Sequence, residues 1–132
     1  MVDPVSGGER ISDAEHAVME VLWHRAPLTA NEVASAVAEG RGWSLATVKT
    51  LLSRLVAKQA VMTQPDGKRF LYSPALARTD YLGGESKRLV ERLFGGRAAP
   101  LFAQLAEAEA LSEADIAEIE ALLKTLRREA GR

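Results

Sequence analysis

The stretch Trp43-Ser44-Leu45-Ala46-Thr47-Val48-Lys49-Thr50-Leu51-Leu52-Ser53-Arg54-Leu55 divides into two faces at helical spacing. Ser44 suits an N-cap, because its hydroxyl can accept from a free amide of the first turn. Val48, Leu51, Leu52 and Leu55, continued by Val56, form an apolar stripe. The opposite face shows Ala46, Thr47, Lys49, Thr50, Ser53 and Arg54, which are small, hydroxylated or basic, with no carboxylate among them. Small side chains let a helix approach a base edge, and hydroxyls and cations match base acceptors and phosphate oxygens. Ser44 and the free amides beside it suit a phosphate.

What surrounds this helix sets the fold. On its C-terminal side the period changes from helical to alternating. Val61 to Gln64 reads as a strand, Pro65-Asp66-Gly67 as a turn, and Lys68 to Tyr72 as the returning strand, closed by Pro74. Phe70 and Tyr72 fall on one face as anchors of the hairpin to the core, while Lys68 and Arg69 sit just past the turn. On the N-terminal side are two capping boxes, Ser12-Asp13-Ala14-Glu15 and Thr29-Ala30-Asn31-Glu32. The first opens a helix with Ala14, Val18, Val21 and Leu22 on one face, ending near Arg25 before Pro27. The second opens a short helix with Val33, Ala34 and Val37 inward, ended by Gly40 and Gly42. Three helices and then a hairpin is the order of a winged helix-turn-helix, with the third helix laid in a major groove and the hairpin as the wing. Trp23 and Trp43 read as core or helix-packing residues.

The charge pattern points the same way. The net charge is −1, but residues 41–78 hold seven bases (Arg41, Lys49, Arg54, Lys58, Lys68, Arg69, Arg78) against Asp66 alone, while residues 1–40 hold seven acids and two bases. A basic block inside an otherwise acidic chain is the footprint of a polyanion partner; the alternative is a solvated basic face with none.

From Arg78 the chain reads as helical again, through Leu82, Leu89, Val90, Leu93 and Phe94, with Gly83-Gly84 able to kink its start and Gly95-Gly96 closing it. A helix over 98–109 carries Leu101, Phe102 and Leu105. A third capping box, Ser112-Glu113-Ala114-Asp115, opens a last helix with Ile116, Ile119, Leu122, Leu123 and Leu126. Such a stripe needs a cover: it folds back on its own winged helix or meets a second copy. A second copy is the better fit, since a helix-turn-helix dimer matches an inverted repeat in DNA. The expected organisation is a flexible arm over 1–10, a winged-helix DNA-binding domain over 11–76 and a helical dimerisation region over 77–132. The overall class is mainly α with a small β-hairpin.

Several classes of protein are disfavoured. The 47% apolar content supports a core, but no apolar run approaches the length of a membrane span. The first ten residues do not have the form of a signal peptide. There is no cysteine, which removes disulfides, thiolate metal sites and cysteine nucleophiles, and fits a cytoplasmic protein. His16 and His24 stand eight residues apart on one helix, roughly 12 Å, too far for one metal ion. No serine lies in a nucleophile elbow and no glycine-rich phosphate loop follows a strand. Neither catalysis nor a cofactor is expected. The remaining alternative is a winged-helix protein-interaction module without DNA binding, which predicts apolar or acidic residues outward on the third helix.

Ile11-Ser12-Asp13-Ala14-Glu15, Val18-Met19-Glu20-Val21-Leu22-Trp23 and the Trp43 to Leu55 stretch resemble the penicillinase repressor family, the BlaI/MecI group. Phe70-Leu71-Tyr72-Ser73-Pro74 and the Leu111-Ser112 helix stand where that family has them, and the resemblance spans about 11–127. It implies a homodimeric transcriptional repressor on a short palindromic operator, with bases read by the third helix and the dimer made by the C-terminal helices. Thr47, Lys49 and Thr50 keep chemistry suited to the family's DNA-facing positions, whereas Ala46 stands where better-known members carry a basic residue. In antibiotic-responsive members a regulatory protease route ends in cleavage between an asparagine and a phenylalanine. The matching positions here are Gln104 and Leu105, which depart from that pattern. A copper-responsive branch uses cysteines that this chain lacks.

Overall fold

The computed structural model describes residues 10–131. The arm expected over 1–10 therefore lies, except for Arg10, outside the described residues. The elements follow in the order α1 (Asp13–His24), α2 (Ala30–Arg41), α3 (Leu45–Ala57), β1 (Val61–Asp66), β2 (Arg69–Pro74), α4 (Arg78–Phe94), α5 (Ala99–Glu107) and α6 (Glu113–Ala130). They divide into two compact units, with the division inside α4 between Leu82 and Gly83.

Local chemistry explains the helix boundaries of the first unit. Ser12 and Glu15 satisfy each other's backbone amides at the start of α1, and Thr29 and Glu32 do the same for α2. Ser44 Oγ accepts from the Thr47 amide at the start of α3. Helix α2 runs through Gly40, and the glycine that ends it is Gly42, at φ +64°, where a residue with a Cβ is strained.

The hairpin differs from expectation at its tip. Val61 pairs with Pro74 and Asp66 with Arg69, so the turn is Gly67-Lys68 and Pro65 and Asp66 belong to β1. Gly67 has φ +65° at the first central position, which suits glycine. Pro65 is tolerated because antiparallel pairs alternate: the pair flanking a two-residue turn is hydrogen-bonded and the next, Pro65–Phe70, is not. Tyr72 shares the parity of Phe70, and its outward-facing backbone is used. Its amide donates to Leu28 O at 2.7 Å and its carbonyl accepts from the Leu28 amide at 3.1 Å. Leu28 thus caps the outer edge of β2 through an isolated antiparallel bridge, and the sheet itself stays two-stranded.

Every fully buried hydrophobic residue among those described lies between Ile11 and Leu76. Val18, Met19 and Leu22 of α1 meet Val33 and Val37 of α2 and Val48, Leu51, Leu52 and Leu55 of α3, with Val61 and Leu76 closing the cluster. Two residues expected in this core are outside it. Val56, at the edge of the α3 stripe, is 36% exposed, and Phe70 is 52% exposed because it sits beyond the end of the core, near the wing tip. Tyr72 does pack on the core. So does Trp23, whose indole N–H donates to Leu76 O at 2.8 Å and whose ring meets His16 and Tyr81.

In the second unit the helix passes Gly83-Gly84 without interruption, and α4, α5 and α6 contain no fully buried residue. Gly95 (φ +60°) and Gly96 (φ +91°) form a C-cap in which the Gly96 amide donates to Val90 O at 3.2 Å. Ser112 and Asp115 make a third reciprocal capping box.

Candidate nucleic-acid interface

The reading face proposed for α3 is continuous. Ser44, Ala46, Thr47, Lys49, Thr50, Ser53 and Arg54 are all exposed, whereas Val48, Leu51, Leu52 and Leu55 are buried. At 100° per residue the six outward positions from Ala46 to Arg54 cover about 160° of the helix. Thr47 and Arg54 bound one side, Lys49 the other, and Ala46, Thr50 and Ser53 lie between.

The hydroxyls of this face differ in what they leave free. Ser44 Oγ accepts the Thr47 amide at 3.2 Å and shares a hydrogen bond with Thr47 Oγ1 at 3.1 Å. Thr50 Oγ1 donates to Ala46 O at 3.1 Å. Ser53 makes no such bond among the described residues. The amides of Leu45 and Ala46, ahead of the capped Thr47 amide, give the end of α3 the partial positive charge of a helix N-terminus.

The cations of the basic block separate into two groups. Among the described residues, Lys49, Arg54 and Lys68 take part in no ion pair. Three others are engaged. Lys58 Nζ lies 2.6 Å from Glu15 Oε1 and donates to Arg10 O at 2.6 Å. Arg78 forks onto Glu20 at 2.7 and 3.2 Å. Arg69 Nε lies 3.1 Å from Asp66 Oδ2. The Glu32 carboxyl is held below its ordinary range by hydrogen bonds from the Thr29 amide and hydroxyl, and further by the charges of Arg25 and Arg69. Lys68, in the turn itself, is the uncommitted cation of the wing, and Arg69 is one whose charge is partly answered. Arg41 stacks 5.1 Å over the ring of Trp43, just ahead of α3.

The eight residues expected to form a dimer surface fall in the second unit. Leu122, Leu123 and Leu126 are 58%, 51% and 51% exposed, Phe102 and Ile116 are also exposed, and Leu101, Leu105 and Ile119 are half-buried. A groove of about 460 Å³ runs between α5 and α6, lined by Phe102, Leu111, Ile116, Ile119 and Leu123 with Ala98, Ala99 and Glu120. Gln104 and Leu105 lie inside α5.

The sequence reading missed the Leu28–Tyr72 bridge, the burial of Glu15 against Lys58 and the His16–Trp23–Tyr81 ring cluster. Only the first left a local signal, the isolated apolar Leu28 between Pro27 and the Thr29 cap. Among the described residues no cluster of three or more His, Cys, Asp or Glu could hold a metal, and no helix is long and apolar enough to cross a membrane.

Three helices, a two-stranded wing edged by Leu28 and an outward basic α3 define a winged helix-turn-helix protein. The solved DNA-binding domain of the repressor BlaI matches it at 34% identity with a TM-score of 0.52, covering 61% of this chain and 94% of that one. The penicillinase repressor family model matches residues 11–125, and the chain belongs to that family. The penicillinase repressor of Bacillus licheniformis is 31% identical over 115 residues, 87% of this chain and 90% of that protein. The methicillin resistance regulatory protein MecI of Mammaliicoccus sciuri is 30% identical over 113 residues, 86% of this chain and 92% of that protein.

Proposed function

We propose that this chain is a sequence-specific DNA-binding transcriptional repressor that works as a homodimer on an inverted-repeat operator in the cytoplasm. The observation that carries this reading is the exposed face of α3, on which Lys49 and Arg54 stand without acidic partners among the described residues. A helix of that kind repels nothing on a polyanion and presents donors to base edges and phosphates. Ala46, Thr47, Lys49, Thr50 and Ser53 face the bases, Ser44 and Arg54 the flanking phosphates, and Lys68, with Arg69 beside it, the backbone beyond the groove. The relatives named penicillinase repressor and MecI support the reading.

Dimerisation through Leu101, Phe102, Leu105, Ile116, Ile119, Leu122, Leu123 and Leu126 covers the apolar surface of α5 and α6. It also presents two α3 helices to two half-sites, so that the second contact forms at high effective concentration. The protein has no enzymatic role and needs no cofactor in this scheme. A protein-interaction module without DNA binding fits less well, because the outward residues of α3 are neither acidic nor large and apolar. Cleavage by a regulatory protease at Gln104-Leu105 has no support in the residue types there.

The test is selection of duplexes from a random pool by the full-length chain, followed by fluorescence anisotropy on the recovered sequence at several salt concentrations. Recovery of an inverted repeat, with binding that weakens steeply as salt rises, supports the function. Recovery of no common sequence, or affinity equal to that for random duplex, overturns it.

A further inference from the structure

Of the three residues at the centre of the α3 reading face, Ser53 keeps a free hydroxyl donor among the described residues, whereas Ala46 and Thr50 offer none. Ala46 and Thr50 lie one turn apart, both exposed, between the flanking Lys49 and Arg54. Ala46 offers a methyl group. The Thr50 hydroxyl hydrogen is committed to Ala46 O at 3.1 Å, so Thr50 offers its γ-methyl and the lone pairs of its oxygen.

Base pairs differ in how well they match two methyls and an acceptor. In the major groove guanine shows two acceptors, N7 and O6, and needs donors that neither residue has free. Cytosine shows an amino donor but no methyl. A thymine–adenine pair shows the thymine C5 methyl for apolar contact and the adenine N6 amino group, a donor that the Thr50 oxygen can accept from. We propose that Ala46 and Thr50 select thymine in each half-site by packing against its C5 methyl group. This inference rests on the reading of the chain as an α3-directed DNA binder, and it assigns to these two residues a base preference that their neighbours Lys49 and Arg54, as donors, do not share.

The test replaces each thymine of the selected duplex, one position per half-site at a time, with deoxyuridine, which differs only by the missing methyl. Burying one methyl group changes an equilibrium about fourfold, so one thymine in each half-site is expected to show a loss of about that size per half-site. The other thymines are expected to show little loss. Thr50→Ser removes the protein methyl and keeps the hydroxyl, and is expected to bind the thymine and deoxyuridine duplexes more nearly alike. Thr50→Val keeps a methyl and is expected to retain the discrimination. The deoxyuridine arm uses the unaltered protein and does not depend on how the variants fold. The inference is overturned if the selected duplex binds tightly but tolerates deoxyuridine at every position within twofold, or if Thr50→Ser keeps the full discrimination. If no duplex is selected at all, the DNA-binding reading fails and this inference fails with it.

Discussion

Lys58 Nζ sits 2.6 Å from Glu15 Oε1, an ion pair that ties the end of α3 to the first turn of α1. The same carboxylate oxygen accepts the Ser12 amide at 2.8 Å, so one buried group serves both the helix cap and the interhelical contact. By sequence Lys58 belongs to the basic block; in the fold it is part of the support for α3 and not of its outward face.

Breaking this pair is expected to destabilise the domain without touching DNA recognition. Lys58→Met leaves the Glu15 charge buried, and should cost about 3 kcal/mol. That is the low end of the range for a buried pair, because the Lys58 side chain keeps 22% exposure. Urea unfolding measures the loss. Operator affinity of the folded variant is expected within twofold of the parent; a tenfold loss would place Lys58 at the DNA.

The same pair sets an acid limit. Burial alone would push the Glu15 carboxyl up, but the hydrogen bond and charge of Lys58 and the bonds from Ser12 together hold it below its ordinary value of 4.5. A carboxyl depressed in the folded state contributes its stabilisation above the unfolded-state value and loses it as pH falls through the folded value. The stability advantage of the parent over Lys58→Met is therefore expected to be largest near neutrality and to shrink as pH falls, first through the folded Glu15 value of the variant, where burial acts without Lys58, and then through that of the parent. Unfolding curves at a series of pH values check this; an advantage that grows in acid contradicts it.

Lys49→Ala and Thr47→Ala are expected to weaken binding to the selected operator. If Lys49 meets a base, each half-site loses about 1–3 kcal/mol and discrimination falls with it. If it meets only phosphate, all duplexes are weakened alike and the salt slope falls by about one per half-site. Unchanged operator binding by both variants would move the reading face elsewhere.

Replacing Leu122 and Leu126 together by Lys is expected to convert a dimer into monomers. Both are more than half exposed in the single chain, and charges at these positions oppose their burial against a second copy. Sedimentation at tens of micromolar should show the parent at twice the monomer mass and the variant at the monomer mass. Circular dichroism should show the winged helix intact. A monomeric parent would remove the dimer from the scheme.

Limited proteolysis is expected to cut first in the segments that join the helices of the second unit, residues 95–98 and 108–112, before it cuts within α5. Gly95-Gly96 is held by a C-cap, but the residues on to Ala98 are exposed and outside any helix. The Gln104-Leu105 bond needs α5 to unwind. Mass spectrometry of the early fragments decides this. First cuts at Gln104-Leu105 would favour a processing route through that bond.

Much of the fold was determined by sequence alone, and for local reasons. Capping boxes at Ser12, Thr29 and Ser112 act within four residues, so their signals are complete in the chain and all three form. The stripe from Val48 to Leu55 specifies an inward face by period, and thereby an outward one. The wing tip was less legible: Pro65-Asp66-Gly67 has the composition of a turn, but strand register places the turn at Gly67-Lys68, and register depends on pairing across the hairpin. Tertiary structure alone decided which charges are available. Lys49, Arg54, Lys58 and Arg69 look alike in a one-dimensional count. Lys58 is claimed by Glu15, 43 residues away, and Arg69 shares its charge with Asp66 across the turn, while Lys49 and Arg54 meet no acid among the described residues. Periodicity places a side chain on its own helix, but an ion pair depends on which other element the fold brings within a few ångströms of it.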